Sequence, residues 1–249
     1  MSQPPPARSR GVRCARGVNA AARLTLLDAF ELAYDGASIA IPMSAQRLLA
    51  FLALHPRPLL RPFVAGTLWP DTTEERAHAS LRSALWRLHR LCEGLIDVTG
   101  PQLRLGATVE VDWRVAETTA RRLLEGADAP VPETAALFGE LLPDWYEDWV
   151  LLERERFRQL RLRALDALCE RLTQADRLAE AFEVGLAALA AEPLRESAHR
   201  ALVRIHLAEG NAAEALRQYR LCRRLLGEQL GVEPSAQMDS LLATVAVSR

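Results

Sequence analysis

The sequence predicts a mainly α-helical chain in two parts: small sheets packed with three helices, followed by an all-helical half. Three observations carry this. The length of 249 residues accommodates two ordinary domains, each with its own core. Period-two apolar stretches and turn dipeptides are confined to the residues before Asp112, and from there to Leu242 apolar residues recur at helical spacing. In that second half Arg177-Leu178-Ala179-Glu180-Ala181-Phe182 recurs as Asn211-Ala212-Ala213-Glu214-Ala215-Leu216, an offset of 34 residues.

Taken in order, residues up to Asn19 are rich in Pro, Arg, Gly and Ser without apolar periodicity, which predicts a flexible tail. Leu24 to Leu32 is short and apolar, Tyr34-Asp35-Gly36-Ala37 supplies a turn, and Ser38 to Pro42 alternates. Together these predict a small N-terminal sheet. Ser44 is expected to cap a first helix carrying Leu48, Leu49, Leu52 and Ala53, ending before His55-Pro56. A second, short helix spans Arg61 to Trp69, stopped by Pro70, and a third starts after Asp71 or Thr73 and runs to Leu91 or Cys92. Leu95 to Val98, a Thr-Gly-Pro-Gln turn and Leu103 to Leu105 then read as a hairpin. Sheet, three helices and hairpin is the order of a winged helix-turn-helix of the response-regulator type. The 34-residue period downstream is that of tetratricopeptide helix pairs, with Pro193 after the first pair. The expected organisation is a basic tail over residues 1–22, the winged helix over 23–111 and the helical domain over 112–249.

The third helix carries the functional reading. With Leu81 at the origin of a wheel advancing about 100° per residue, Leu85, Leu88 and Cys92 fall beside it as an apolar stripe. Arg76, Ala79, Ser80, Arg82, Ser83, Trp86, Arg87 and Arg90 face away, and from Arg76 to Cys92 there are four arginines and no acid. Solvated helix faces usually intersperse acids at i,i+4. Small residues that let a backbone approach, beside arginines that reach guanine edges or phosphate, fit a major-groove recognition helix. Gln102 and Arg104, flanking the hairpin tip, are candidates for minor-groove or backbone contact. The candidate DNA-binding residues are therefore Arg76, Ser80, Arg82, Ser83, Arg87, Arg90, Gln102 and Arg104. An exposed tryptophan on such a helix is unusual, so Trp86 is expected to stack on the wing, pack against the helical half or touch a thymine methyl, with packing the favoured expectation.

Composition sets bounds. The chain has no lysine, so all 31 basic side chains are arginine, and P-loop, Schiff-base and general-base lysine chemistry is ruled out. The net charge of −1 is uneven: residues 1–23 are strongly basic and 112–249 acidic, so a nucleic-acid face depends on placement. Cys14, Cys92, Cys169 and Cys222 lie far apart and are expected to act as small core hydrophobes. The five histidines form no metal-ligand motif, and His199 and His206 are expected to be core or surface residues. No metal, cofactor or catalytic site is expected. No transmembrane run or secretory signal is evident, which predicts a cytoplasmic protein.

Several blocks resemble the Streptomyces antibiotic regulatory protein family with its bacterial transcriptional activator domain, over about residues 24–242. Leu68-Trp69-Pro70-Asp71 is similar to a turn of that family, and Leu81-Arg82-Ser83-Ala84-Leu85-Trp86-Arg87-Leu88-His89-Arg90 to its recognition helix. The activator domain is matched by Leu142-Pro143, Asp148-Trp149, Glu153-Arg154, Glu192-Pro193-Leu194-Arg195-Glu196, His199-Arg200, Leu202, Ala215-Leu216, Tyr219 and Leu230-Gly231-Val232-Glu233-Pro234. Trp86, His89 and Ser80 depart from the family's pattern. The resemblance implies a short regulator, without a nucleotide site, that activates transcription. It further implies binding of short direct repeats in double-stranded DNA near promoters, two protomers in tandem, and recruitment of RNA polymerase. The competing expectation is a helical-repeat adaptor whose winged helix docks protein.

Overall fold

The computed structural model describes residues 22–126 and 134–247, with side chains described as far as Leu241. The expected basic tail lies outside these residues except for Ala22, which opens the first strand. The chain divides into two compact units, residues 1–112 with 142–144, and residues 113–141 with 145–249. Small sheets followed by helices is the class that the sequence predicts.

In the first unit, β1 (Ala22–Thr25) pairs antiparallel with β2 (Glu31–Tyr34), which pairs with β3 (Ala37–Ser38). The β2–β3 turn is Asp35-Gly36, both residues at positive φ, the backbone that a tight hairpin with right-handed strand twist requires. Three helices follow: α1 (Met43–Leu54), α2 (Arg61–Leu68) and α3 (Glu74–Leu91). The expected cap does not form: Ser44 lies inside α1, whose N-cap is Pro42, with no side-chain cap bond. Leu48 through Leu54 are buried without a break, so the last two turns of α1 are buried all round, and the helix packs on both α2 and α3.

Between α1 and α2 the chain contributes β4 (Leu59–Leu60), two residues wedged between Pro58 and Arg61. It pairs with β6 (Gln102–Leu105), which pairs in turn with β5 (Ile96–Thr99) to make a three-stranded wing. The wing closes at its base, where the Gly106 N–H donates to the Leu95 carbonyl at 2.9 Å. β7 (Glu110–Val111) then returns parallel to β1. The Asp112 carboxylate accepts the N–H groups of Leu26 (2.8 Å) and Leu27 (3.1 Å), tying off the end of β1.

The second unit holds α4 (Asp112–Leu124), a 3₁₀ turn at Ala135–Leu137, and the helices α5 (Asp148–Gln174), α6 (Leu178–Ala191), α7 (Glu196–Ala208), α8 (Ala212–Leu230) and α9 (Ala236–Val247). Consecutive helices from α5 to α9 pack together, and α5 also packs on α7. The 34-residue repeat is visible bond by bond. The turn after α5 has Arg177 N–H donating to Leu172 O and Asp176 at positive φ; the turn after α7 has Asn211 N–H donating to His206 O and Gly210 at positive φ. Each bond and each left-handed residue lies 34 positions from its counterpart.

The blocks that resemble an activator domain serve as fastenings here. Glu192 accepts a bond from Arg158 of α5, and Arg195 and Ser197 both donate to Asp166 of the same helix. Glu196 accepts from the Ser235 N–H at 2.9 Å, holding the segment after Gly231, whose positive φ ends α8. Arg154 donates to the carbonyls of Leu141 and Trp145, and Arg161, nearly fully buried, donates to that of Gly139. His199 is 1% exposed: Nε2–H donates to Pro193 O at 2.9 Å, which leaves Nδ1 to accept from Gln218 at 2.7 Å. Desolvation pushes its pKa below the ordinary imidazole value. Cys169 and Cys222 are free and buried, with burial raising both thiols to about 11. Cys92 is likewise buried in the core; Cys14 lies outside the described residues. Among the described residues no helix is long and apolar enough to cross a membrane.

This packing makes two expectations measurable. An ideal Cβ at Gly106 would stand 1.8 Å from the Gly94 carbonyl oxygen, whereas one at Gly66, on α2, meets nothing within 4 Å. Gly106→Ala is expected to destabilise the first unit by about 1–3 kcal/mol, and Gly66→Ala to stabilise it by about 0.5–1 kcal/mol, in chemical unfolding of the full chain. His199 is held neutral when folded, so its folded pKa lies below its unfolded one. Its contribution is complete above about pH 6.5 and is lost as pH falls through the folded value. In urea titrations the wild type is expected to lose stability between pH 7 and pH 5, and His199→Gln, which can keep one donor and one acceptor, is expected to flatten that loss.

Candidate nucleic-acid interface

The third helix begins at Thr73, whose hydroxyl accepts the Arg76 N–H, and Glu74 and Glu75 occupy the first turn where the helix dipole favours acids. Its buried residues are Ala77, Leu81, Ala84 and Leu88. Leu85, expected in this stripe, is only half-buried and lines a cleft beside it; Ala77 and Ala84 complete the stripe in its place, their small side chains suiting close approach to α1.

Spacing arranges the outer face. Arg76, Ser80, Ser83, Arg87 and Arg90 recur at i, i+4, i+7, i+11 and i+14, so they share one line along the helix within about 40° either side. Four of the five are exposed, and Ser80 is half-buried. Arg82 lies off this line, on the side of the wing. Among the described residues no acidic side chain forms an ion pair with Arg76, Arg82, Arg87 or Arg90.

Trp86 does not pack away as expected. It is 58% exposed, and the Arg90 guanidinium lies 4.7 Å from its ring centroid in a cation–π contact. A cleft of about 270 Å³ separates α3 from the wing, and Arg61, Arg82, Trp86, His89, Ile96 and Val98 contribute to its lining. Arg61 is absent from the candidates that the sequence suggests. It opens α2 ahead of Pro62, and its N–H donates to the wing-tip carbonyl of Pro101 at 2.9 Å. An Arg-Pro pair at a helix start marks the position in the sequence, but only the pairing of β4 with β6 reveals that it meets the wing.

The wing candidates differ from one another. Gln102 is exposed, opposite Thr99 in the ladder. Arg104 stands opposite Asp97 and donates to its carboxylate at 2.8 Å, so its charge is already partnered. No metal-binding cluster of His, Cys, Asp or Glu occurs among the described residues.

Residues 111–246 match the model of the bacterial transcriptional activator domain. The regulatory protein AfsR of Streptomyces coelicolor is 27% identical over 231 residues, covering 83% of this chain and 22% of its own length. The chain therefore spans about a fifth of that relative. The solved structure of Mycobacterium tuberculosis EmbR, in complex with a low affinity phosphopeptide, superposes with a TM-score of 0.72 at 18% identity, covering 92% of this chain and 66% of that one. At that identity the likeness is one of fold.

Proposed function

Because the chain belongs to the bacterial transcriptional activator domain family and is a transcriptional regulator of the Streptomyces antibiotic regulatory protein type, we propose that it binds double-stranded DNA sequence-specifically by laying α3 in the major groove. The observation that carries this reading is the run of four arginines without an acidic partner on the face of α3 turned from its core.

In this reading residues 23–111 are the DNA-binding domain and 112–249 the activation domain. Arg76, Ser80, Ser83, Arg87 and Arg90 line the groove, with Arg82 reaching phosphate or a base edge beside the wing. Gln102 touches the backbone from the wing tip, and Arg104 contributes once it leaves Asp97. The protein acts as an activator at short direct repeats near promoters, two protomers in tandem, with RNA polymerase contacted through the helical domain. It acts in the cytoplasm, and its function is regulatory rather than catalytic.

Two measurements by fluorescence anisotropy test the interface. Upstream DNA of the protein's own gene should bind more tightly than random DNA, with affinity falling steeply as salt rises. Arg82→Ala with Arg87→Ala should reduce the salt slope by about one unit for each arginine that binds phosphate, or cost about 1–3 kcal/mol of specificity for each that reads a base edge. Affinity indifferent to salt and to both substitutions would sink the proposal and favour a protein-docking winged helix. Asp97→Asn should act in the opposite sense: freeing Arg104 strengthens binding and steepens the salt dependence, while stability changes by no more than about 1 kcal/mol.

A further inference from the structure

The part of α3 that stands farthest from its core is an apolar ring. Taking Ala77, Leu81, Ala84 and Leu88 as the buried side of a helix advancing about 100° per residue, Trp86 points almost diametrically away from their mean direction. Arg82 flanks it on one side, and Arg90, Ser83 and Arg87 on the other. A surface that accepts this helix opposite its buried stripe therefore meets the indole first.

Exposing a tryptophan at 58% carries a hydrophobic cost, which the contact with Arg90 and the edge of the cleft offset only in part. Arg90, resting against the ring, holds its own guanidinium at the outer face. Indole carries a single polar hydrogen and otherwise presents carbon, so it cannot read the donor and acceptor pattern of a base edge as arginine does. The one apolar group that a B-DNA major groove offers is the C5 methyl of thymine. Resting on the proposed DNA reading of α3, we infer that Trp86 is a specificity-determining residue that packs on a thymine methyl, and that Arg90 is positioned by the same ring to bind next to that base.

The test begins with sites selected from a random duplex library by the full-length protein. Each thymine of the selected half-site is replaced in turn by deoxyuridine, which removes the methyl and leaves base pairing intact. At one thymine per half-site the wild type should lose roughly four-fold in affinity, the equivalent of about 0.8 kcal/mol for one buried carbon. Trp86→Ala should bind that thymine and its deoxyuridine equally well, whereas Trp86→Leu, which keeps an apolar tip, should still discriminate. Selection with Trp86→Ala should relax the preference at that position alone.

The outcomes separate the two claims. Specific, salt-dependent binding with a flat deoxyuridine scan overturns the role of Trp86 and leaves the DNA reading standing. Discrimination that survives in Trp86→Ala assigns the methyl to another side chain and likewise overturns it. Absence of any sequence-specific binding overturns the DNA reading and this inference with it.

Discussion

The burial of four small or branched side chains of α3 determines what its other side chains can do. Ala77, Leu81, Ala84 and Leu88 lie against the core built on α1, where every residue from Leu48 to Leu54 is excluded from water. Removing that apolar area from water is worth roughly 25 cal/mol per Å², and it fixes the rotation of α3 about its axis. With the rotation fixed, an i+7 or i+11 spacing becomes a direction in space. The alanines matter as much as the leucines, because a larger residue at either buried position would push the helix away from the core and turn the outer face.

The second unit solves a different problem. Its helices bury apolar groups of their own, Phe157, Leu162, Leu165, Leu202 and Ile205 among them, and the junctions are held in addition by charged and polar side chains with specific partners: Asp166 with Arg195 and Ser197, Glu192 with Arg158, Glu196 with Ser235, His199 with Pro193 and Gln218. Half-exposed ion pairs of this kind contribute modestly one at a time, but a misregistered helix would leave several partners unpaired at once. Such a network therefore specifies how successive helices stack more than how stable each is. The residues that make these chains recognisable as an activator domain are largely those fastenings.

The order and bounds of α1, α2, α3 and the hairpin are legible in the sequence because each is bounded by a strong local signal: Pro56, Pro70, Thr73 and Gly100-Pro101. β4 is not, since two residues between Pro58 and Arg61 carry no periodicity and form a strand only through pairing with β6. Ser44 misleads for the opposite reason. It is a good local cap, but the burial of Ala45 and Leu48 draws the helix start past it to Met43. Within the candidate interface the arginine line follows from spacing alone. The partner of Arg104 does not, because cross-strand neighbours depend on register. Arg61 escapes a sequence reading because its place beside the wing is a tertiary fact. For Trp86 average burial argues for packing and wheel position argues for solvent, and geometry prevails.

Charge distribution ties the two units to one conclusion. Elsewhere in the protein arginines are provided with acids at helical spacing: Arg121 with Glu117, Arg156 with Glu153, Arg177 with Glu180, Arg200 with Glu196, Arg217 with Glu214. The composition is therefore not short of carboxylates, and the absence of acids from Arg76 to the end of α3 is not a by-product of an arginine-rich sequence. Arg87 and Arg90, three residues apart on that face, repel one another rather than attract, at a cost of a few tenths of a kcal/mol. Folding gains little from that arrangement or from an indole held half out in water beside it, beyond the cation–π contact of Arg90 with Trp86. Both features are unfavourable in the free protein and become favourable together against one kind of surface, which carries dense negative charge with apolar methyl groups set between its polar edges. The groove of a DNA duplex has that chemistry, phosphates along its walls and thymine methyls on its floor, and this match supports the proposed DNA reading of α3.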